Sequence, residues 1–334
     1  MINESKKNSG GGAGGAVGAK NSGEKIRFVF FGTDSFATTV LDQLNGAGLL
    51  ASIIVTAPDR PAGRGNKIQK PATKIWAEKN NIPVLQPEKL NDDFYNKIKN
   101  DFGEFDFFVV ASYGKIIPER ILSIPKKGTL NVHPSLLPLY RGASPIESAM
   151  LDDQKETGVT IMQMDKEMDH GPILSQEVII FDEWPQKTEV EEKMAIAGGK
   201  LLVETIFAIY RGEIEPQEQD HSLATFTKKI EKSMGIIPTD EILDFVKSTE
   251  DSKNQRNIFL KIQALNPWPG AYFFIKHSDK KSTADIRVKI TEASFEPADG
   301  DDASRKSSLK IKKVIPEGKK EMTFDDFCRG FLQN

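Results

Sequence analysis

Two polar side chains stand at the end of a short apolar run, where they have the types and spacing for chemistry. Asn131 and His133 are two positions apart, and Pro134 follows them directly. Alternate positions of a β-strand share one face, so the two side chains are predicted to project in the same direction. Proline cannot donate to a sheet ladder and restricts the preceding residue to extended backbone. The strand is therefore predicted to end where the pair emerges.

A carboxylate completes a possible acyl-transfer group. Asp169 follows a second apolar run, 159–164. The His133 imidazole can accept a proton near neutral pH, and the Asn131 amide can donate to an oxygen that becomes anionic. Asp169 can orient the imidazole and favour its charged form. Structural roles are also typical of these residue types, since such a histidine often makes a hydrogen bond and such an aspartate caps or turns a loop. Spacing alone does not decide between the two interpretations.

The elements that would position these residues follow an α/β pattern. Continuous apolar runs predict strands that are buried on both faces, as in a parallel sheet covered by helices. The runs are 26–31, 52–57, 105–111, 128–132 and 159–164, with helices predicted at 36–47, 71–80 and 91–100. A further helix is predicted to open at Thr188, where Thr188 and Glu191 match a capping box. In open α/β sheets, ligands bind beyond the carboxyl ends of strands, where Asn131 and His133 are expected.

The pattern changes after residue 212. Residues 213–236 are predicted to form a linker, followed by a helix at 239–249. Strand-like runs near 258–264, 271–276, 285–291 and 309–315 predict a small β-barrel. The predicted organisation is a flexible Gly-rich leader (1–24), a catalytic domain (25–212), the linker (213–236) and a C-terminal domain (237–334).

Composition limits the class of protein. The 334 residues are 38% hydrophobic and 28% charged, as in soluble globular proteins, and no apolar run reaches membrane-spanning length. A single cysteine excludes an internal disulfide framework and fits a reducing, cytoplasmic environment. The net charge of −3 gives no global sign of nucleic-acid binding, so any RNA contact must come from local basic segments.

The motifs around these residues resemble those of folate-dependent formyltransferases. Residues 131–138 (NVHPSLLP) continue into 140–146 (YRGASPI), and 156–165 (ETGVTIMQMD) continue into 168–172 (MDHGP). The resemblance implies that Asn131, His133 and Asp169 are the catalytic residues. It also implies a Rossmann-like formyltransferase domain, 10-formyltetrahydrofolate as co-substrate and no metal. The folate would lie along the loop Ser135, Leu136, Leu137 and Pro138.

Two further segments resemble the members of this family that act on methionyl-tRNA. Residues 57–65 (APDRPAGRG) resemble their basic insertion loop, and 266–271 (NPWPGA) with 316–322 (PEGKKEM) resemble their C-terminal domain. The resemblance implies an OB-like C-terminal domain that binds tRNA, and initiator Met-tRNA as the partner. A monomer is expected. The methionyl group would enter past Gly32 and meet Phe36.

Local charge is segregated in a way that suits an oriented anionic partner. Residues 58–70 contain Arg60, Arg64, Lys67 and Lys70 against one acidic residue, which predicts a mobile cationic loop. Arg60, Arg64 and Lys67 are predicted to contact the tRNA. Residues 305–320 carry seven basic residues and one acidic residue, whereas 292–302 carry five acidic residues and no basic one. The acidic block is expected to face away from RNA, although charge runs are also typical of solvated surfaces.

Other functions fit the sequence less well. A formyltransferase acting on a sugar nucleotide or on glycinamide ribonucleotide would share the three catalytic residues but would not need the basic loop. A non-enzymatic RNA-binding protein would need neither the Asn-x-His pair nor Asp169. The four histidines form no ligand pair for a metalloenzyme, and no glycine fingerprint follows the first strand.

Leu139, Glu167, His170 and segment 235–238 depart from the family's usual residues.

Overall fold

The computed structural model describes residues 25–62, 67–246, 252–276, 285–296 and 308–332. The predicted leader (1–24) and Arg64 lie outside the described residues. Among the described residues, the N-terminal part has ten strands: β1 (Phe28–Phe31), β2 (Ile53–Val55), β3 (Arg60–Ala62), β4 (Lys67–Gln69), β5 (Val84–Leu85), β6 (Phe107–Val110), β7 (Thr129–His133), β8 (Arg141–Gly142), β9 (Glu156–Gln163) and β10 (Ile173–Ile180). Its helices are α1 (Ser35–Gly46), α2 (Ala72–Lys79), α3 (Asp92–Asp101), α4 (Glu119–Leu122), α5 (Pro145–Leu151) and α6 (Lys187–Arg211).

The main sheet of the described residues has seven strands in the order β10-β9-β7-β6-β1-β2-β5. The strands from β7 to β5 are parallel, and β9 and β10 are antiparallel at the other edge. Every residue of β1, β2, β6 and β7 is buried, as the continuous apolar runs predict. Because the parallel strands run in the same direction, their carboxyl ends lie side by side along one edge of the sheet, which we call the carboxyl edge. Asn131 and His133 lie there.

Helix α6 packs closely behind the strand that carries these two residues. A side chain at Gly198 would come within 2.6 Å of Val132 Cγ1, and one at Gly199 within 2.7 Å of Gln43 on α1. Glycine therefore allows the helix backbone to approach both β7 and α1. The predicted capping box is wrong, because Gln186 is the N-cap residue and makes no side-chain cap bond. Thr188 lies inside the first turn instead.

The C-terminal part is a small antiparallel sheet with one long helix against it. Its elements are α7 (Thr239–Val246), α8 (Ser252–Leu265), β12 (Ala271–Ile275), β13 (Ile286–Glu296), β14 (Ser308–Pro316), β15 (Met322–Thr323), α9 (Phe324–Phe327) and a π-helical turn (Cys328–Leu332). The described strands follow the order β12-β13-β14-β15. The predicted architecture, an α/β domain followed by a smaller β-rich domain, is confirmed. The strand predicted at 258–264 is wrong, because these residues belong to α8.

The segment between the two domains contains short regular elements and returns to strand β8. It contains two 3₁₀ turns (His221–Leu223 and Lys232–Gly235) and a short strand, β11 (Phe226–Thr227). Strand β11 pairs in parallel with β8, with Phe226 opposite Arg141. The predicted linker thus contributes structure next to the polar pair of β7.

An arginine on α8 joins the domains. Arg256 donates to both carboxylate oxygens of Asp153, at 3.0 and 2.7 Å, and to Glu183 at 2.7 Å. Its side chain is only 15% exposed and lies over the rings of Phe259 and Phe295. The catalytic and C-terminal domains are therefore held in contact by a half-buried ion triad.

Candidate active site

The polar pair lies on one face of β7 and is almost fully buried. Asn131 is 8% exposed and His133 is 4% exposed, while Val132 between them faces α6. Strand β7 is flanked by β6 and β9, so backbone hydrogen bonds on both sides fix the strand. The sheet therefore presents the amide and the imidazole together at its carboxyl edge.

The loop between β9 and β10 brings Asp169 to the same place. Asp169 has a left-handed backbone, with φ of +50°. Its Oδ2 accepts a hydrogen bond from the Gly142 backbone N–H at 2.7 Å. Its Oδ1 lies 3.5 Å from Asn131 Nδ2 and 3.8 Å from His133 Nδ1. The three residues singled out by the sequence therefore converge, although the short bond to the carboxylate comes from Gly142.

The hydrogen bond of His133 indicates which ring nitrogen is available as a base. His133 Nε2 lies 3.1 Å from the carbonyl oxygen of Tyr140, which can only accept. Nε2 therefore carries the proton in the neutral ring, and Nδ1 has the free lone pair. Since Nδ1 faces Asp169 Oδ1, a proton taken up there would lie beside a carboxylate. This is the arrangement of a general base held beside a carboxylate.

Two further residues hold this site, and the sequence analysis assigned a role to neither of them. Gly142 supplies the N–H that binds Asp169, and its φ of +114° favours glycine. Gln219, in the segment predicted as linker, is 4% exposed and donates to the carbonyls of Asp169 and Gly171. A Tyr-Arg-Gly motif marks Gly142 as part of the family signature, but no local signal marks Gln219.

The turn that was expected to admit the methionyl group is tightly packed. A side chain at Gly32 would clash with Phe30, Ala37 and the Ala111 carbonyl, with distances of 2.6 to 2.8 Å. Phe36 is only 8% exposed and belongs to the core. Little of the Phe36 side chain is thus accessible to a methionyl group, and the contact stays a prediction.

The loop expected to lie along the folate is held by three polar side chains, those of Ser135, Thr160 and Gln176. Ser135 is fully buried, and its hydroxyl donates to the Leu139 carbonyl at 2.6 Å. Leu137 is 3% exposed, with its N–H donating to Thr160 and its carbonyl accepting from Gln176. A ligand on this loop would therefore meet Leu136, Pro138 and the backbone rather than the side chains of Ser135 and Leu137.

The basic segment was predicted as a loop, but its described residues form two paired strands, the β3–β4 hairpin. Strands β3 and β4 pair antiparallel, with Arg60 opposite Gln69, and Arg60 and Lys67 are exposed. Lys70 binds Glu78 at 2.8 Å. Hydrogen bonds from Lys74 and Gln86 hold the pKa of Asp59 below its ordinary value. The described ion pairs of this segment thus involve Lys70 and Lys74, while Arg60 and Lys67 face solvent.

His170, one of the departures from the family pattern, lies against the linker. Its Nδ1 is 2.7 Å from Asp165 Oδ2, and its ring stacks on His221 with a centroid distance of 4.1 Å and an interplanar angle of 8°. His221 in turn accepts from Arg141 at 2.9 Å. The loop of Asp169 is therefore in contact with the linker on two sides, through Gln219 and through the histidine stack.

One cavity lies away from these residues. It has a volume of about 470 Å³ and is lined by residues around the end of β5 and the start of α3, including Gln86, Pro87 and Phe94. Strand β5 is four positions from β7 in the sheet, so this cavity does not coincide with the catalytic group. In the part of the chain that the structure describes, no group of three or more His, Cys, Asp or Glu residues is arranged to hold a metal ion. Within the same ranges, no helix has the length and apolarity needed to cross a membrane.

Known solved structures share this fold at low sequence identity. HypX from Aquifex aeolicus in complex with tetrahydrofolic acid is similar with a TM-score of 0.60 at 13% identity, over 93% of this chain and 48% of HypX. The chain therefore spans about half the length of HypX. A sugar N-formyltransferase from Shewanella sp. FDAARGOS_354 is similar with a TM-score of 0.56 at 17% identity, over 78% of this chain and 96% of that one. These likenesses establish the fold alone.

Sequence relatives match almost the whole chain. A methionyl-tRNA formyltransferase of Halalkalibacterium halodurans is 37% identical over 317 residues, which cover 91% of this chain and 95% of that protein. One from Thermotoga maritima is 35% identical over 92% of this chain and 96% of the relative. The family model described as formyl transferase matches residues 24–206, and the model of the formyl transferase C-terminal domain matches 238–332. The chain belongs to the formyl transferase family.

Proposed function

We propose that the chain transfers the formyl group of 10-formyltetrahydrofolate to the free amino group of initiator methionyl-tRNA. The observation that carries the proposal is the convergence of Asn131, His133 and Asp169 at the carboxyl end of β7. Membership of the formyl transferase family supports the reaction type. The names of relatives that cover nine-tenths of the chain support the acceptor.

The chemistry follows from the free lone pair on His133. As the amine attacks the formyl carbon, His133 Nδ1 takes the amine proton, and the imidazolium lies beside Asp169. The carbonyl oxygen becomes anionic, and the Asn131 amide donates to it. The 3.5 Å separation of Asn131 Nδ2 and Asp169 Oδ1 is long for a hydrogen bond, so the amide retains donor capacity. The carbon–nitrogen bond to the folate then breaks, and the proton passes to that nitrogen.

The folate would occupy the surface of the loop that follows His133. Ser135 and Leu137 serve as internal supports of this loop, while Leu136 and Pro138 are only partly buried. A flat aromatic ligand can pack on such an apolar surface while its formyl group reaches the edge of β7. The residues present therefore fit a folate whose reactive carbon lies near His133.

The tRNA would bind through exposed basic residues of both domains. Arg60 and Lys67 lie on the β3–β4 hairpin, and Lys310, Lys312 and Lys313 are exposed on β14. Phosphate groups are neutralised by such side chains with release of counterions. We propose that Arg64 also contacts the tRNA. We also propose that the chain acts as a monomer in the cytoplasm.

The test is formylation by the purified protein. Charged initiator Met-tRNA and 10-formyltetrahydrofolate are supplied, and formylmethionine is measured after deacylation. Glycinamide ribonucleotide and an amino-sugar nucleotide are offered in parallel, with His133→Ala as the inactive control. Preference for Met-tRNA supports the proposal. Turnover only with one of the small acceptors would reject it, and light scattering during size-exclusion chromatography checks the monomer.

A further inference from the structure

We infer that Gln219 is a positioning residue that fixes the loop carrying Asp169, and that Arg141 acts through it. The effect on turnover rests on the proposed function, whereas the effect on the loop does not. Gln219 Nε2 donates to the Asp169 carbonyl at 3.0 Å and to the Gly171 carbonyl at 2.7 Å. Gln219 lies 50 positions from Asp169 in the chain. A distant segment thus binds both ends of the turn that carries the carboxylate.

The orientation of this amide is determined by its second partner. Gln219 Oε1 accepts from Arg141 Nε at 3.1 Å and from Arg141 Nη2 at 2.7 Å. A guanidinium group can only donate, so the amide oxygen must face Arg141. The two N–H groups must then face the loop, where both carbonyls are acceptors. Every hydrogen-bonding group of the Gln219 side chain is used in this one arrangement.

The burial of the Arg141 cation is energetically unfavourable, and a purely structural role does not explain it. It is 3% exposed, and its partners among the described residues are the Gln219 oxygen, His221 Nδ1 at 2.9 Å and the Phe226 ring at 6.0 Å. None of these partners is a carboxylate, and a buried cation without one is unfavourable for stability. The benefit of this arrangement is an amide held in a single orientation.

The Asp169 loop is a segment whose exact placement matters. Asp169 adopts a left-handed backbone, and a side chain at Gly171 would come within 2.0 Å of the Gln163 carbonyl. The carboxylate has one short hydrogen bond, from Gly142, which directly follows Arg141 on β8. Strand β8 therefore holds Asp169 twice, by its backbone N–H and through Arg141 and Gln219. Loss of the contact through Arg141 and Gln219 would let the carboxylate move relative to His133.

Gln219→Glu tests the hydrogen bonds to the Asp169 loop separately from those to Arg141. The variant keeps an oxygen for Arg141 but replaces the N–H groups that face the loop carbonyls with an oxygen. Turnover of Met-tRNA is expected to fall about 10- to 100-fold, since a shift near 1 Å at a reacting group costs that much. The KM values of both substrates are expected to stay within about threefold. Gln217→Glu, an exposed glutamine on the same segment, is the matched control and should behave as wild type.

Hydrogen exchange tests the loop without any substrate. Peptides covering 165–172 are expected to exchange faster in Gln219→Glu than in wild type or Gln217→Glu, because the loop opens more readily. Coupling tests the role of Arg141: once Gln219→Leu is present, Arg141→Met should lower turnover by less than about twofold more. Unchanged exchange, unchanged turnover in Gln219→Glu, or additive losses in the double variant would overturn the inference. Wild-type protein that fails to formylate Met-tRNA would reject the proposed function, and the exchange comparison would still decide whether Gln219 holds the loop.

Discussion

The carboxyl edge of the main sheet and the basic surfaces of the chain use polar residues in opposite ways. At the edge, Asn131 and His133 are more than nine-tenths buried and lie within 4 Å of one carboxylate. On the β3–β4 hairpin and on β14, basic side chains are exposed, and Lys312 and Lys313 of β14 form surface ion pairs with Glu292. The proposed role of the carboxyl edge depends on fixed geometry, whereas that of the basic surfaces depends on total charge.

This difference predicts how each region responds to substitution. Buried donors and acceptors act in a water-poor environment and need no reorganisation during the reaction, so the loss of one has a large effect. Exposed charges are screened by salt, and each contributes a small share of binding. Substitutions at the edge should therefore change turnover, and substitutions on the basic surfaces should change affinity and its dependence on salt.

The largest effect is expected for His133→Ala. Removing the group that accepts the amine proton should lower kcat about 10²- to 10⁴-fold, which is the usual contribution of a general base. The KM values should change little, because the proposed role of His133 is proton transfer rather than substrate binding. Steady-state formylation assays measure both, and the melting temperature checks that the variant folds. A kcat within threefold of wild type would show that the edge does not carry the chemistry.

Asn131→Ala is expected to follow, with kcat about 10²- to 10³-fold lower, the loss typical of one oxyanion donor. Asn131 also lies 3.5 Å from Asp169, so a merely supporting role is the competing explanation. In the oxyanion role, Asn131→Ala lowers kcat while binding of the folate alone is unchanged. Weaker folate binding in Asn131→Ala would contradict that role.

The sequence predicts the fold well where burial is uniform. Strands β1, β2, β6 and β7 were located because buried parallel strands are continuous apolar runs. The same criterion failed at 258–264, where an apolar run belongs to α8, since short buried helices and strands cannot be separated by such runs. Strand β10 was not predicted, because its residues are mostly exposed or half-buried at the sheet edge.

The site was predictable only in part, for a physical reason. Asn131 and His133 are local neighbours on one strand, and period-two geometry brings them together. The family resemblance then singled out Asp169. Gln219 and Gly142 reach Asp169 across 50 and 27 positions of the chain, and their contacts depend on how the segments pack. No local pattern records such contacts.

Arg256→Met tests the contact between the catalytic and C-terminal domains. The substitution leaves Asp153 and Glu183 without their shared cation, at 34% and 41% exposure. Breaking a buried pair costs about 3–5 kcal/mol, and solvent screening reduces this to roughly 1–3 kcal/mol here. Thermal unfolding should show the loss, while kcat at low temperature stays within about twofold. Arg211→Met, which removes an exposed pair with Glu213, is the control and should leave the melting temperature unchanged.

Arg60→Ala/Arg64→Ala tests the basic hairpin. If these residues contact phosphates of the acceptor arm, kcat/KM for Met-tRNA should fall on the order of tenfold at low salt. The salt dependence should become shallower, by roughly one unit of log–log slope for each lost contact. Folate binding should not change. Identical salt curves for the variant and wild type would mean that the hairpin is a solvated surface, and the small-molecule acceptors would then be favoured.

The smallest effect, a gain in tRNA affinity rather than a loss, is expected at Glu292 of β13, which lies beside the lysines of β14. Glu292 was expected to face away from RNA with its acidic neighbours, yet it lies 2.8 Å from Lys313 and 3.7 Å from Lys312. The hydrogen bond from Lys313 lowers the pKa of Glu292, so its carboxylate is charged at neutral pH and offsets part of the basic surface. The charge of β14 is therefore less segregated than the sequence indicates.

Glu292→Gln removes this negative charge and leaves both lysines in place. If β14 contacts tRNA phosphates, the variant should bind tRNA about two- to fourfold more tightly at low salt. The gain should disappear as salt increases, because exposed charges are screened within about 10 Å at 0.1 M ionic strength. Glu213→Gln removes an exposed carboxylate from the segment between the domains and controls for net charge alone. Equal gains in both variants would mean that only net charge matters, whereas a gain confined to Glu292→Gln supports direct contact between β14 and the RNA. Unchanged affinity in Glu292→Gln would exclude β14 from the interface and leave binding to the hairpin.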